Sequence, residues 1–289
     1  MPEWVQDESG LYLPKLASDG LPARGVGPWA KEKLAVLSRY LDLFTVGMKP
    51  SAKKRHNWSG LGYIDLFAGP GKCIVRETGE ELDGSALVAL RTRHPFSQIH
   101  LVESDAKVFG ILQQRVGADQ ACHCLHMNCN EATKAIVQKR KPNFLYVAFV
   151  DPTGLDIHFD TIRSLAGDLR CDLIINWFMS ALTRNMSVWQ QGQESERLDR
   201  FFGTHEWVQC VPPTVTPKVA FQCLVKLYRQ QLERIGYGYQ AQPQIIKNRQ
   251  NAEMYWLWFA SRSGTGKDFW LKAVKSAREQ REFDFDDRT

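Results

Sequence analysis

Tyr63-Ile64-Asp65-Leu66-Phe67-Ala68-Gly69-Pro70-Gly71 is the stretch from which the rest of the chain is read. Leu61 to Leu66 is apolar and predicts a short, buried strand, with Asp65 near its end. Gly69 and Gly71 let the backbone turn sharply and approach a ligand with no side chain in the way. A strand running into a glycine turn is how open α/β sheets build a nucleotide pocket at the carboxyl ends of their strands. A lone GxG says little. Here Glu103 ends the next strand-like run, and Asp151-Pro152 ends another. Polar groups at three such strand ends form a constellation.

The 289 residues suffice for one large α/β domain or two small ones. A hydrophobic share of 44% and a charged share of 24% are ordinary for a globular protein. The net charge of +5 is compatible with a nucleic-acid partner without requiring one. No apolar run approaches the roughly 20 residues that span a bilayer, so no membrane association is expected. Glu3, Asp7 and Glu8 sit in an amino terminus that shows no signal-peptide pattern. Seven scattered cysteines, an odd number, suggest reduced thiols and a cytoplasmic location.

Residues 1–28 are rich in Gly, Pro and polar residues and read as an extended arm; residues 29–289 read as one α/β domain. Trp29 to Val46 predicts an N-terminal helix, with Leu34, Leu37, Leu41 and Phe44 on one stripe and Lys31, Lys33 and Arg39 on the other faces. Then come Lys49, Lys53, Lys54, Arg55, His56 and Trp58, either a phosphate-gripping segment with a stacking ring or a solvated loop. Cys73 to Asp83 inserts between the glycine turn and a helix for which Ser85 is the expected N-cap. Strands are expected at Ile99 to Val102, Cys122 to Met127, Phe144 to Val150 and Asp172 to Trp177, the last broken at Asn176. Helices are expected between them. At about 179–217 the alternation stops, and an inserted helical cap is expected. A long helix over Val219 to Ile235 follows. Gln244 to Lys247 and Met254 to Ser261 predict an antiparallel hairpin, Lys267 to Arg278 a last helix, and Phe283 to Thr289 a loose acidic tail.

Five alternating strands, a long helix and a final hairpin follow the order of class I S-adenosylmethionine-dependent methyltransferases. The fold expected is thus a Rossmann-like sheet, mostly parallel, with its last strand antiparallel. On that reading Gly69 and Gly71, with Phe67 in the same turn, make room for the methionine part of the cofactor. Asp65 meets its ammonium directly or through water, Glu103 the ribose hydroxyls, and Asn128 the adenine amino group. Asp151, with Pro152, stands beside the methyl group where the acceptor enters. The competing cofactor, NAD, needs a third glycine that Lys72-Cys73-Ile74 does not supply. The bland alternative is that Asp65 only caps a turn that the glycines shape.

The resemblance narrows with Trp29-Ala-Lys-Glu-Lys33 and Tyr40, the Tyr63–Gly71 stretch, Asp83-Gly-Ser85, Asp151-Pro-Thr-Gly154 and Met254-Tyr-Trp-Leu-Trp-Phe259. Together these resemble the three-Cys-motif partner protein family (TcmP), over nearly the whole chain from about Gly25. The resemblance implies a methyltransferase-like domain and a companion protein that bears three cysteines and resembles radical S-adenosylmethionine proteins. It implies no settled substrate.

Amino-group methylases of nucleic acids usually carry an Asp/Asn-Pro-Pro-aromatic loop, whose ring stacks on a flipped base. Asp151 and Pro152 match, but Thr153 and Gly154 replace the second proline and the aromatic residue. Stacking then falls to Trp177, Phe178 or Trp189; alternatively the loop is a simple turn. Cys122, Cys124, His126 and Cys129 carry zinc-type ligands, yet their alternation along one strand favours burial, and no metal is assigned. Ser263-Gly-Thr-Gly-Lys267 lacks the first glycine and the hydroxyl residue of a P-loop. Two functions remain: a methyltransferase acting on RNA or DNA, or a cofactor-binding domain that serves as the partner of a three-Cys-motif protein.

Overall fold

Phe144–Val150 (β9) is apolar at every position and almost wholly covered, as a strand with helices on both faces must be. It lies mid-sheet in the computed structural model, which describes residues 4–6, 12–14, 16–49, 58–178, 186–248 and 250–286. Trp4–Gln6 (β1) and Tyr12–Pro14 (β2) pair as a small ribbon. The main sheet adds Gly60–Asp65 (β4), Gln98–Glu103 (β7), Cys122–His126 (β8), Arg170–Phe178 (β10), Tyr239–Gln240 (β11), Gln244–Lys247 (β12) and Glu253–Ser261 (β13). Its order is β11-β13-β10-β9-β4-β7-β8, with β12 also on β13. From β10 to β8 every pairing is parallel. β13 runs antiparallel between β10 and the short β11 and β12. This is the Rossmann-like sheet with an antiparallel last strand that the resemblance in element order implies.

Two helical layers bury the faces. Ala30–Met48 (α1) turns Leu37, Tyr40 and Phe44 onto one face, where Trp270 and Ala273 of the helix Gly264–Asp286 join Tyr63 and Phe259. Cys129–Gln138 (α4), Phe159–Asp168 (α5) and the helix Pro217–Arg234 cover the other. Ser85–Leu90 (α2) follows residues 81–83, and Ala106–Val116 (α3) follows β7. Residues of the expected cap form helices at Met186–Gln190 and Ser195–Phe202 and a 3-10 turn at Glu206–Cys210. Their Trp189, Leu198, Phe202 and Trp207 join the core on that second face.

Several boundaries differ from expectation. Within the expected extended arm, Arg24–Val26 (β3) pairs with Lys72–Val75 (β5), which pairs with Glu81–Asp83 (β6), so the insertion and the arm make a second, three-stranded sheet. β10 is not broken at Asn176, because β13 hydrogen-bonds it through Phe178. The last helix runs on to Asp286 and takes in part of the supposed tail. Cys210 and Cys223 form a disulfide, with Cα atoms 5.2 Å apart. The expectation that all the cysteines are reduced is thereby corrected. Among the described residues no helix is long and apolar enough to cross a membrane.

Candidate functional site

The strand register sets the depth of each polar group. Asp65 pairs level with Leu101 of β7 and Phe149 of β9. Glu103 and Asp151 therefore each stand two residues further along their strands, about 7 Å higher on the rim. Asp65 lies below them and is fully covered. Its Oδ1 accepts from Phe67 N (3.1 Å) and its Oδ2 from the Tyr63 hydroxyl (3.3 Å). Burial pushes its carboxyl up to about 7, against the lowering pull of hydrogen bonds from Ser85 and Phe67 N. With no exposed surface, Asp65 braces the turn from beneath.

Ser85 is likewise not the N-cap. Gly84 holds that position without a side-chain bond, and Ser85, the first helical residue, turns to Asp65. Gly84 N donates to Gly71 O (2.7 Å), and a Cβ on Gly84 would lie 2.9 Å from that oxygen. The Asp83-Gly84-Ser85 motif is therefore a brace for the glycine turn. Gly69 (φ +61°) and Gly71 (φ +88°) both hold left-handed backbone, which explains glycine at each. Glu103, buried, accepts from Gly69 N through Oε2 (3.1 Å) and from Asp105 N through Oε1 (2.9 Å). Each oxygen keeps a lone pair. Asn128 caps α4 by accepting from Asn130 N (2.8 Å), and its side chain is exposed. It borders a groove of about 930 Å³ between α4, the 155–158 loop and the Ser195–Phe202 helix.

Asp151 follows β9 directly, and both of its oxygens are taken. Oδ2 accepts from Lys33 Nζ and Oδ1 from Asn176 Nδ2, each at 2.5 Å. Lys33 comes from α1, is buried, and lies 4.7 Å from the centre of the Tyr255 ring. It does not decorate an outer face. Asp151 holds the ammonium charged against the cost of burial. Asn176 Oδ1 is enclosed and has no hydrogen-bond partner. Pro152 is buried.

The aromatic residues expected to stack on a base are elsewhere. Trp177 is 3% exposed and packs among Phe201, Tyr228 and Trp258. Trp189 is 1% exposed and donates to Glu194. The side chain of Phe178 lies outside the described residues, as does the whole of residues 50–57 with Lys53, Lys54, Arg55 and His56. Trp58 lies under the guanidinium of Arg170, the first residue of β10. That is the amino edge of the sheet, opposite the rim that carries Glu103 and Asp151. Among the described residues no three His, Cys, Asp or Glu side chains are placed to hold a metal ion.

Sequence reading assigned Lys33 and Asn176 no place at the site and did not single out Arg24 or Arg115. Only Lys33 had a signal, its place in Trp29-Ala-Lys-Glu-Lys33. Arg115 of α3 donates to both oxygens of Asp19 and to the carbonyls of Leu21, Pro22 and Pro70, and so ties residues 19–22 to the glycine turn. The guanidinium holds the Asp19 carboxyl well below the usual carboxylate range.

No protein-family model matches the chain and no curated protein matches it in sequence, so the three-Cys-motif partner resemblance rests on the quoted motifs. Solved structures do match. Protein LPL1258 from Legionella pneumophila is 9% identical, with a TM-score of 0.53 over 87% of this chain and 92% of that one. Human methyltransferase-like protein 13, in complex with SAH, is 12% identical, with a TM-score of 0.47 over 86% and 90%. The N-methyltransferase NodS from Bradyrhizobium japonicum, in complex with S-adenosyl-L-homocysteine, is 8% identical, with a TM-score of 0.40 over 82% and 89%. At such identities the likeness is one of fold alone, a Rossmann-like α/β fold.

Proposed function

We propose that this chain binds S-adenosylmethionine along the carboxyl rim of β4, β7 and β9 and acts as a methyltransferase. One observation carries the reading: two left-handed glycines end β4, and the neighbouring carboxylate, Glu103, accepts from Gly69 N while keeping free lone pairs at the rim. The residues fit the cofactor in kind. Gly69 and Gly71, with Phe67, leave bare backbone for its methionine part. Glu103 offers acceptors to the ribose hydroxyls and Asn128 an amide to the adenine, while Asp65 fixes the turn. When bound, the cofactor supplies an electrophilic methyl group on a sulfonium. Asp151, Lys33 and Asn176 stand where an acceptor enters; they position it and exclude water.

A nucleic-acid acceptor is the finer reading. The Asp151-Pro152 loop supports it, and Asn176 Oδ1, enclosed beside Asp151, is an acceptor still without a donor. The second reading is a cofactor-binding partner of a three-Cys-motif protein that transfers no methyl group. It is favoured by one observation, that both Asp151 oxygens are already engaged within the chain.

The test is thermal unfolding with S-adenosylhomocysteine or with NAD. Saturation at about 100-fold over Kd is worth about 2.7 kcal/mol and raises the midpoint by roughly 5 °C. A shift with NAD and none with S-adenosylhomocysteine contradicts the proposal. Labelled methyl transfer to total nucleic acid, lost in Asp151→Ala, separates the two readings.

A further inference from the structure

Two arginines approach the glycine turn, and their circumstances are opposite. Arg115 is fully engaged, with its guanidinium on Asp19 and three backbone carbonyls. Arg24 is not: its Nε is enclosed, and the side chain has no hydrogen bond or ion pair among the described residues.

Arg24 opens β3, where it pairs in register with Cys73 of β5. Its guanidinium carbon and Nη1 lie 3.8 Å from the point a Cβ on Gly69 would occupy. The half-buried Cys73 thiol beside it feels Arg24, Lys33 and Asp151 together, so these charged groups lie near one another. The Arg115 latch explains how a residue from the amino-terminal segment reaches this place. By holding Leu21 and Pro22 to Pro70 it sets β3 down beside the turn.

Arg24 is half-buried, and its enclosed, unpartnered Nε carries a desolvation cost that an anion would offset. Its planar fork matches a carboxylate in two-point contact. Resting on the cofactor reading above, we propose that Arg24 grips the α-carboxylate at the amino-acid end of the cofactor. The amino-terminal segment is then part of the binding site. The bare backbone of Gly69 brings that end of the ligand within reach of the fork. An anionic methyl acceptor is the other source of such a charge, and the choice of ligands separates the two.

The experiment is calorimetric titration of the full chain with S-adenosylhomocysteine and with 5′-methylthioadenosine, which keeps the nucleoside and the thioether but lacks the amino-acid end. Arg24→Ala is expected to weaken S-adenosylhomocysteine roughly 10- to 100-fold and to leave 5′-methylthioadenosine unchanged. Arg24→Lys keeps the charge without the fork and is expected to fall between. Unchanged S-adenosylhomocysteine affinity in Arg24→Ala overturns the proposal, and leaves an anionic acceptor as the partner. So does equal weakening of both ligands in Arg24→Lys, the variant that preserves the charge and hence the fold. Wild-type protein that binds neither ligand overturns the underlying cofactor reading instead.

Discussion

Lys33 Nζ, from the N-terminal helix, lies 2.5 Å from Asp151 Oδ2, at the end of the central strand 118 residues later. The pair ties the element that precedes the sheet to the point where an acceptor would enter. Lys33 is nearly covered and Asp151 partly so, with side-chain exposures of 10% and 23%. Asn176 takes the other oxygen.

Lys33→Met leaves the Asp151 carboxylate without its cation. We expect a loss of about 3 kcal/mol, near the low end for a broken buried pair because Asp151 keeps some contact with water. Adding Asp151→Asn should recover most of it. Denaturant unfolding of the two single variants and the double variant measures the coupling; strict additivity would show that the pair is not an energetic unit.

Arg115→Ala removes the latch between residues 19–22 and Pro70. The segment carrying β3 should then become accessible to protease well before global unfolding. Limited proteolysis followed by mass analysis would place the first cuts within residues 16–28. First cuts elsewhere, with this segment as protected as in wild type, would contradict the latch.

Burial pushes the carboxyl of Asp65 up to about 7 and that of Asp172 up to about 6. Asp172 does so despite accepting from Tyr40 and Ser261. Both lie above the ordinary value of 3.8, so between there and neutrality the folded chain holds protons that the unfolded chain has released. Their contribution to stability is full below about pH 4 and declines as pH rises through about 6 to 7. Asp65→Asn and Asp172→Asn should each flatten that decline, as urea midpoints between about pH 4.5 and 8 would reveal. A slope unaltered in both variants would refute it.

Trp177 is a core residue, packed edge-on against Tyr228 at a centroid distance of 4.8 Å. Trp177→Ala should cost about 3–5 kcal/mol. Trp177→Phe should restore much of the stability while leaving binding of S-adenosylhomocysteine intact. A Trp177→Phe variant of native stability but altered nucleic-acid binding would return the ring to the interface.

The sheet was legible because its signals are local. Phe144-Leu-Tyr-Val-Ala-Phe-Val150 can only be a strand covered on both faces, and glycines after Asp65 announce the turn. The hairpin of β12 and β13 was readable from its two short runs, and β13 does insert antiparallel. The role of Ser85 was not, since a helix-start residue reads as a cap until a buried carboxylate is found beside it. Nor was the core location of Trp177 and Trp189, because aromatic residues suit a core and a stacking face equally well.

By itself, then, the sequence determined the order of strands and helices, the glycine turn, and which polar residues close the strands. Only the tertiary structure decided their depth, their partners, and the placing of Arg24 and Lys33 at the turn and rim. The physical reason is that strand and turn propensities act over a few neighbouring residues. Whether a carboxylate is sealed or open, and which cation meets it, depends on register between strands and on contacts far apart in the chain, such as Asp65 level with Leu101 of β7 and Phe149 of β9, and Lys33 on Asp151 118 residues away.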